Sequence, residues 1–124
     1  MRPTLRAIPA LLVLMSVSGA AVAAQGSEDE TVFNTYCAAC HGEDGQGLKD
    51  GDTIINPPLW GPNSYNWGAG MAQVDKAAAF IRANMPVGNA GTLSVQQAWD
   101  VAWYIDGQTR PQDPRFAGDL AATR

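Results

Sequence analysis

Five consecutive residues, Cys37-Ala38-Ala39-Cys40-His41, constrain this chain more than any other part of its sequence. The 124 residues include two cysteines and one histidine, and all three lie within this pentapeptide. Clustered thiols beside an imidazole are typical of a redox-active disulfide, a zinc site, a structural disulfide or a covalently attached cofactor. Each of the four makes a different demand on the rest of the chain.

Three of these sites lack support elsewhere in the sequence. A thioredoxin-type disulfide accompanies a βαβ pattern, and the sequence offers no clear strand for one. Zinc needs four ligands, so it would have to recruit carboxylates. A plain disulfide leaves His41 without a role. The spacing C-x-x-C-H predicts covalent attachment of one haem c, with thioether bonds at Cys37 and Cys40 and with His41 as the proximal iron ligand.

The N-terminus has the pattern of a cleaved secretory signal. Arg2 and Arg6 precede the apolar residues 7–17, and small residues follow up to Ala24. A membrane anchor is the alternative, but the apolar run is short for spanning a bilayer. We therefore predict a signal peptide over residues 1–24, a periplasmic location and no stable membrane insertion.

The charge balance argues against a nucleic-acid partner. The formal net charge is −4, and the predicted signal contains two arginines but no acidic residue, so the remainder is more acidic still. Only Lys49 and Lys76 supply lysine ammonium groups. A protein of this charge lacks the basic surface that phosphate backbones require. We expect no nucleic-acid binding.

The hydrophobic pattern predicts helices joined by loops. A first helix begins at a capping box formed by Ser27 and Glu30 and ends near His41. Residues 42–67 are rich in glycine and proline and predict a long irregular loop. Further helices are expected over residues 71–83 and 95–106. The apolar face of the last helix is expected to be Val95, Trp99, Ala102 and Ile105, flanked by Val101 and Tyr104.

A haem iron with one histidine ligand has a second axial position, for which Met85 is our candidate. Met85 lies where the second helix breaks before Pro86, so its thioether need not follow the helical face. Met71 is the other methionine after the signal, and it is the alternative ligand. Lys49, Lys76 and an open position also remain.

The loop supplies candidates for contacts around the cofactor. A ligating histidine usually donates its second ring N–H to a carbonyl or carboxylate, and the stiff backbone at Pro57 offers such a carbonyl. Side chains in the segment LWGPNSYNW could donate to the haem propionates or cover the ring. The candidates are Trp60, Asn63, Tyr65 and Trp67.

The segments CAACHGEDGQG, NPPLWG, NMP and AWDVAWYI together resemble the class I cytochrome c family. The resemblance implies an all-α fold, with three to four helices around one covalent haem, and we place this domain at residues 25–110. The two prolines of the segment TRPQDPRF predict an extended tail over residues 111–124. It implies that the terminal helices cross, with Phe33 against Val101 and Tyr104. It also implies that Met85 is the distal ligand and that the Pro57 carbonyl receives the proximal histidine.

A narrower likeness is to the C-terminal haem domain of two-haem thiosulfate dehydrogenases, through PPLWGPNSYNWGAGM, AAFIRANMP and DVAWYIDGQTRPQDPR. Those enzymes hold their reactive haem, with a cysteine ligand, in a second domain, whereas this sequence has one haem motif and no spare cysteine. The likeness implies one-electron transfer between a periplasmic dehydrogenase and a downstream acceptor, without catalysis by this chain alone. The alternatives are a haem subunit of a heterodimeric thiosulfate or sulfite dehydrogenase, and a haem sensor.

Overall fold

Four helices and one short hairpin make up the computed structural model, which describes residues 21–119 and 121–122. Helix α1 spans Ala21–Tyr36, α2 spans Ala38–His41, α3 spans Val74–Asn84 and α4 spans Val95–Asp106. Most of the predicted signal, residues 1–24, lies outside the described part. Among the described residues, no helix combines the length and the apolar character needed to cross a bilayer.

The first helix begins earlier than the sequence predicts. We expected its N-terminus at Ser27, but α1 already includes Ala21, the first residue that the structure describes. The segment AVAAQ before the expected cap contains three alanines, the residue with the highest helix propensity, and so continues the helix toward the N-terminus.

The segment between α2 and α3 is not wholly irregular, so the all-α prediction is wrong in this part. Strand β1 (Leu48–Asp50) pairs with β2 (Thr53–Asn56) in an antiparallel hairpin that has a bulge between Leu48 and Lys49. Gly51 has φ of 58° in the connecting turn, a conformation that glycine adopts without strain. The predicted helix over residues 71–83 is also shorter, because Gly70–Ala72 form a 3₁₀ turn and α3 starts at Val74.

The third predicted helix has the expected bounds. The Gln97 backbone N–H donates to Ser94 Oγ at 3.0 Å, and the Ser94 N–H donates to Gln97 Oε1 at 3.0 Å. This reciprocal pair satisfies two backbone donors that the helix itself leaves unpaired. Helix α4 ends at Asp106, and Gly107 follows as its C-cap.

The core forms where α4 packs against both α1 and α3. Phe33 and Val101 are fully buried, and the Phe33 ring centroid lies 5.4 Å from that of Tyr104. The crossing of the terminal helices therefore has the contacts that the resemblance implied. The buried apolar residues are Val32, Phe33, Ala77, Ala78, Ile81, Leu93, Ala98, Val101, Ala102 and Ile105.

The buried face of α4 differs from the predicted stripe. Ala98, Val101, Ala102 and Ile105 are buried, whereas Val95 and Trp99 are exposed. Small side chains at positions 98 and 102 let α4 approach its neighbours closely, so the inward face turns away from Trp99. The Phe33 ring, and not the Trp99 indole, fills the space where α1 and α4 cross.

Candidate functional site

The cysteine–histidine pentapeptide forms a single helical turn beside the end of α1. The Cys37 N–H donates to the Phe33 carbonyl at 2.8 Å, and the His41 N–H donates to the Cys37 carbonyl at 2.9 Å. Cys37, Cys40 and His41 all line one cavity. Local helix geometry thus presents both thiols and the imidazole to the same space.

His41 is held by the backbone of the loop after β2. Its Nδ1 lies 2.9 Å from the Pro57 carbonyl oxygen, as the sequence predicted for this pair. Because a carbonyl oxygen only accepts hydrogen bonds, Nδ1 must carry the proton, which leaves the lone pair of Nε2 free to bind a metal ion.

Two further contacts join the pentapeptide to the Pro57 segment. The Asn56 side-chain amide donates to the Cys40 carbonyl at 2.8 Å, and the Gly47 N–H donates to the His41 carbonyl at 2.6 Å. Gly47 has φ of 76°, and a Cβ at this position would contact the Asn56 carbonyl oxygen and lie 2.7 Å from the Pro57 carbonyl carbon. Only glycine lets the two segments approach this closely.

Both methionines of the described chain reach the same cavity. Met85 follows the last residue of α3, where its φ of −118° and ψ of 149° direct the chain out of the helix, and its side chain is half-buried. Met71 lies in the 3₁₀ turn and also lines the cavity. The structure therefore offers two thioethers to the cavity that His41 lines.

The cavity is apolar and has the size of a ligand site. Its volume is about 460 Å³, and binding sites for small molecules and cofactors commonly measure about 300–1,000 Å³. Its walls come from every helix and from the loop after β2. The lining residues are Tyr36, Cys37, Cys40, His41, Ile55, Asn56, Pro57, Pro58, Leu59, Tyr65, Met71, Ala77, Phe80, Ile81, Met85, Pro86, Val87 and Ile105.

These residues fit a covalently bound haem. Cys37 and Cys40 are free thiols, not joined to each other. Burial, and secondly the neighbouring Cys40, raises the pKa of the Cys37 thiol to about 11, so it is protonated at neutral pH. Such a haem uses two thiols, one free imidazole nitrogen, a thioether and apolar walls.

In the described part of the chain, no three His, Cys, Asp or Glu side chains lie together as possible ligands of a metal ion.

The aromatic candidates separate into two groups. Tyr65 lines the cavity, whereas Trp60 and Trp67 are not among its lining residues, so the contact of these two tryptophans with the cofactor stays a prediction. The Trp60 ring packs in the core instead, 5.0 Å from Phe33 and 5.9 Å from Tyr104 between ring centroids. Asn63 is exposed, and it does not line the cavity either.

Trp67 is exposed, but its ring lies next to a buried polar cluster that the sequence did not reveal. The Arg110 guanidinium carbon lies 4.2 Å from the Tyr65 ring centroid and 5.1 Å from that of Trp67. Arg110 donates to the Ile105 carbonyl at 2.7 Å and lies 3.5 Å from Asp106 Oδ1. The Tyr65 hydroxyl donates to Asp106 Oδ1 at 2.9 Å.

The protonation of this cluster follows from its burial. Burial is the main cause that raises the pKa of Tyr65, to about 12, and the Asp106 charge adds to it. Burial also raises the pKa of the Asp106 carboxyl, although the Tyr65 hydrogen bond and Arg110 oppose this rise. Tyr65 is therefore a protonated donor at neutral pH, and it connects the cavity wall to a buried ion pair. No pattern around Arg110 in the sequence indicates this role.

Comparison with known proteins agrees with this geometry. Residues 24–105 match the family described as cytochrome C oxidase, cbb3-type, subunit III. The chain is 53% identical over 96 residues to a thiosulfate dehydrogenase of Thiomonas intermedia, covering 77% of this chain and 30% of that protein. It is 48% identical over 99 residues to one of Stutzerimonas stutzeri, covering 79% and 32% respectively.

A solved structure shows the same fold. Thiosulfate dehydrogenase TsdBA from Marichromatium purpuratum aligns with a TM-score of 0.73 and 52% identity, over 79% of this chain and 21% of that one. The chain thus spans about a third or less of the relatives that it matches. The family match covers most of the sequence, and it includes the thiols, the imidazole and the methionines of the cavity. The chain belongs to this cytochrome c family and is a domain with one covalent haem c that transfers electrons.

Proposed function

We propose that the protein is a periplasmic one-electron carrier that serves a dehydrogenase of thiosulfate or a related sulfur compound. The observation that carries this proposal is the convergence of Cys37, Cys40, His41 and Met85 on one apolar cavity. The names of the relatives support the substrate class. The downstream acceptor would be a second redox protein.

Each residue of the site has a defined task in this proposal. Cys37 and Cys40 would hold the haem through thioether bonds, and His41 and Met85 would bind its iron. The Pro57 carbonyl orients the His41 ring through its bond to Nδ1. When bound, the haem supplies a ferric–ferrous couple that accepts and donates single electrons.

The walls of the cavity set the conditions for transfer. Apolar side chains such as Leu59 and Ile81 line the cavity, would exclude water from a bound haem and leave few polar groups facing it. Histidine–methionine ligation raises the reduction potential of a haem, and the apolar surroundings of the haem also affect this potential. Val87 is 82% exposed at the mouth of the cavity, so a partner can approach the site there.

A permanent subunit is the second candidate, because the chain spans only 30% of its relative from Thiomonas intermedia. In this case the chain would remain bound to a catalytic subunit during turnover. Purification of the native protein separates the two: a carrier elutes alone, and a subunit elutes with a larger protein in fixed stoichiometry.

The test of the proposed function uses the haem-loaded protein with catalytic amounts of a thiosulfate dehydrogenase. We expect one electron to be taken up per molecule, seen in the visible absorption of the haem, only when both enzyme and thiosulfate are present. Acid–acetone extraction should leave the colour with the protein. Release of the haem, or no reduction by the enzyme over a range of thiosulfate concentrations, contradicts the proposal.

A further inference from the structure

Two tryptophans on α4 face outward, on the side away from the core. Trp103 is 66% exposed and Trp99 is 45% exposed. They are four residues apart, so they lie one above the other on the same helical face. Tryptophan is enriched at protein interfaces, and a pair of exposed indoles is a large apolar area for a surface to leave in water.

The two indoles line a groove between α1 and α4, which we call the tryptophan groove. Its other lining residues are Glu28 and Asp29 of α1 and Gln96 and Asp100 of α4. The groove has a volume of about 520 Å³ and is open to solvent. The Gln96 amide donates to Asp100 Oδ1 at 2.6 Å, which holds that carboxylate beside the indoles.

The carboxylates of the groove have no cationic partner within the described residues. There, Arg110 pairs with Asp106 and Arg115 pairs with Asp113, and no ion pair reaches Glu28, Asp29 or Asp100. Burial, followed by the charges of Asp100 and Glu28, raises the pKa of the Asp29 carboxyl. The three negative charges repel one another, and a cation in the groove would relieve that repulsion.

The groove is separate from the haem cavity. No residue lines both. Glu28 precedes Tyr36, a cavity residue, by eight positions, which is about 12 Å along an α-helix. A protein docked in the groove therefore need not cover Val87 or the mouth of the cavity.

Aromatic faces framed by carboxylates define the chemistry of the occupant. A second copy of this chain is disfavoured, because a symmetric contact would bring equal negative charges together. A guanidinium stacks on an indole face and donates hydrogen bonds from its edge to carboxylates, so arginine satisfies both features. We propose that the tryptophan groove binds an arginine-bearing segment of a partner protein.

The test titrates the haem-loaded protein with a capped peptide of four arginines separated by glycines, and with a lysine peptide of the same length. Trp103→Ala and the pair Asp29→Asn/Asp100→Asn alter the groove. The pair Asp50→Asn/Asp52→Asn is a matched control, because it removes the same charge from the exposed hairpin. Val87→Ala is the apolar control, at the mouth of the haem cavity. Calorimetry gives the affinities, and the indole N–H resonances report the site.

We expect the arginine peptide to bind more tightly than the lysine peptide, with shifts of the Trp99 and Trp103 indole resonances. Each groove variant should weaken binding at least about threefold, and the two controls should change it by less than about twofold. Equal affinity for both peptides, or equal weakening by the hairpin pair, overturns the proposal in favour of general charge attraction. If the protein self-associates and Trp103→Ala abolishes this self-association, the proposal is also overturned. These measurements do not involve electron transfer, so the proposal stands or falls independently of the proposed function.

Discussion

At the scale of single residues, the choice between two thioethers defines the distal ligand. Met85 and Met71 both line the cavity, but Met85 leaves the end of α3 in an extended conformation. We expect Met85→Ala to abolish the weak sulfur–iron charge-transfer band of the ferric protein and to lower the reduction potential. Met71→Ala should preserve the band. The opposite pattern in absorption spectra and potentiometric titrations would make Met71 the ligand.

Arg110 tests the buried polar cluster. Its side chain is fully buried beside Asp106, so Arg110→Met leaves a carboxylate without its cation. We expect a loss of about 3–5 kcal/mol in the free energy of unfolding, measured with denaturant at neutral pH. Arg115→Met is the control. Its ion pair with Asp113 has an exposed guanidinium, so we expect little change.

The same variant has a defined pH dependence. The folded pKa of Asp106 lies above its unfolded value of 3.8, so protonation favours the fold, and that contribution is lost as the pH rises from about 3.8 through the folded pKa. Removing Arg110 raises the folded pKa further. The loss of unfolding free energy caused by Arg110→Met should therefore become smaller as the pH is lowered toward 4. A loss that does not change with pH would show that Arg110 acts through packing and its carbonyl contacts alone.

At the scale of elements, Gly47 controls how closely the hairpin approaches the pentapeptide. Gly47 and Gly51 both have positive φ, 76° and 58°, but only at Gly47 would a Cβ meet the Pro57 segment. We expect Gly47→Ala to weaken the His41–Pro57 hydrogen bond and to destabilise the protein. It should also raise the reduction potential, because that hydrogen bond makes the imidazole a more basic ligand, which favours the ferric state. Gly51→Ala carries the backbone strain alone, so it should destabilise less and leave the potential unchanged. If both variants changed the reduction potential equally, the close approach at Gly47 would not be what orients His41.

The elements also show what the sequence could and could not predict. The α4 capping box and the helix break at Met85 are local signals, and both features have the expected positions. The hairpin was missed because its strands are three and four residues long, and Leu48, Ile54 and Ile55 are exposed, so no alternating pattern marks them. The exposure of Trp99 and the core position of Trp60 depend on how helices pack, and periodicity along one segment does not contain that information.

At the scale of the whole molecule, the haem cavity and the tryptophan groove have no lining residue in common. Val87, Ile55 and Phe80 are exposed apolar residues that also line the cavity, whereas the groove is acidic. Electron exchange through the apolar mouth should depend weakly on ionic strength, because few charges steer the encounter there. Binding in the groove should weaken with added salt. One protein can therefore use the mouth of the haem cavity for electron transfer and the tryptophan groove for binding a partner protein.

The final prediction separates a carrier from an enzyme. Catalysis at an iron needs an open or easily vacated position, but His41 and Met85 both face the cavity as proposed ligands, and the sequence contains no third thiol and no second histidine. We expect the purified ferric protein to form no oxidised sulfur product from thiosulfate and the reduced protein to bind carbon monoxide slowly and incompletely at neutral pH. Met85→Ala is the positive control, because it opens the distal position and should bind carbon monoxide quickly. Sustained product formation, or rapid stoichiometric carbon monoxide binding by the unaltered protein, would show that the distal ligand leaves readily and that the chain acts as more than a carrier.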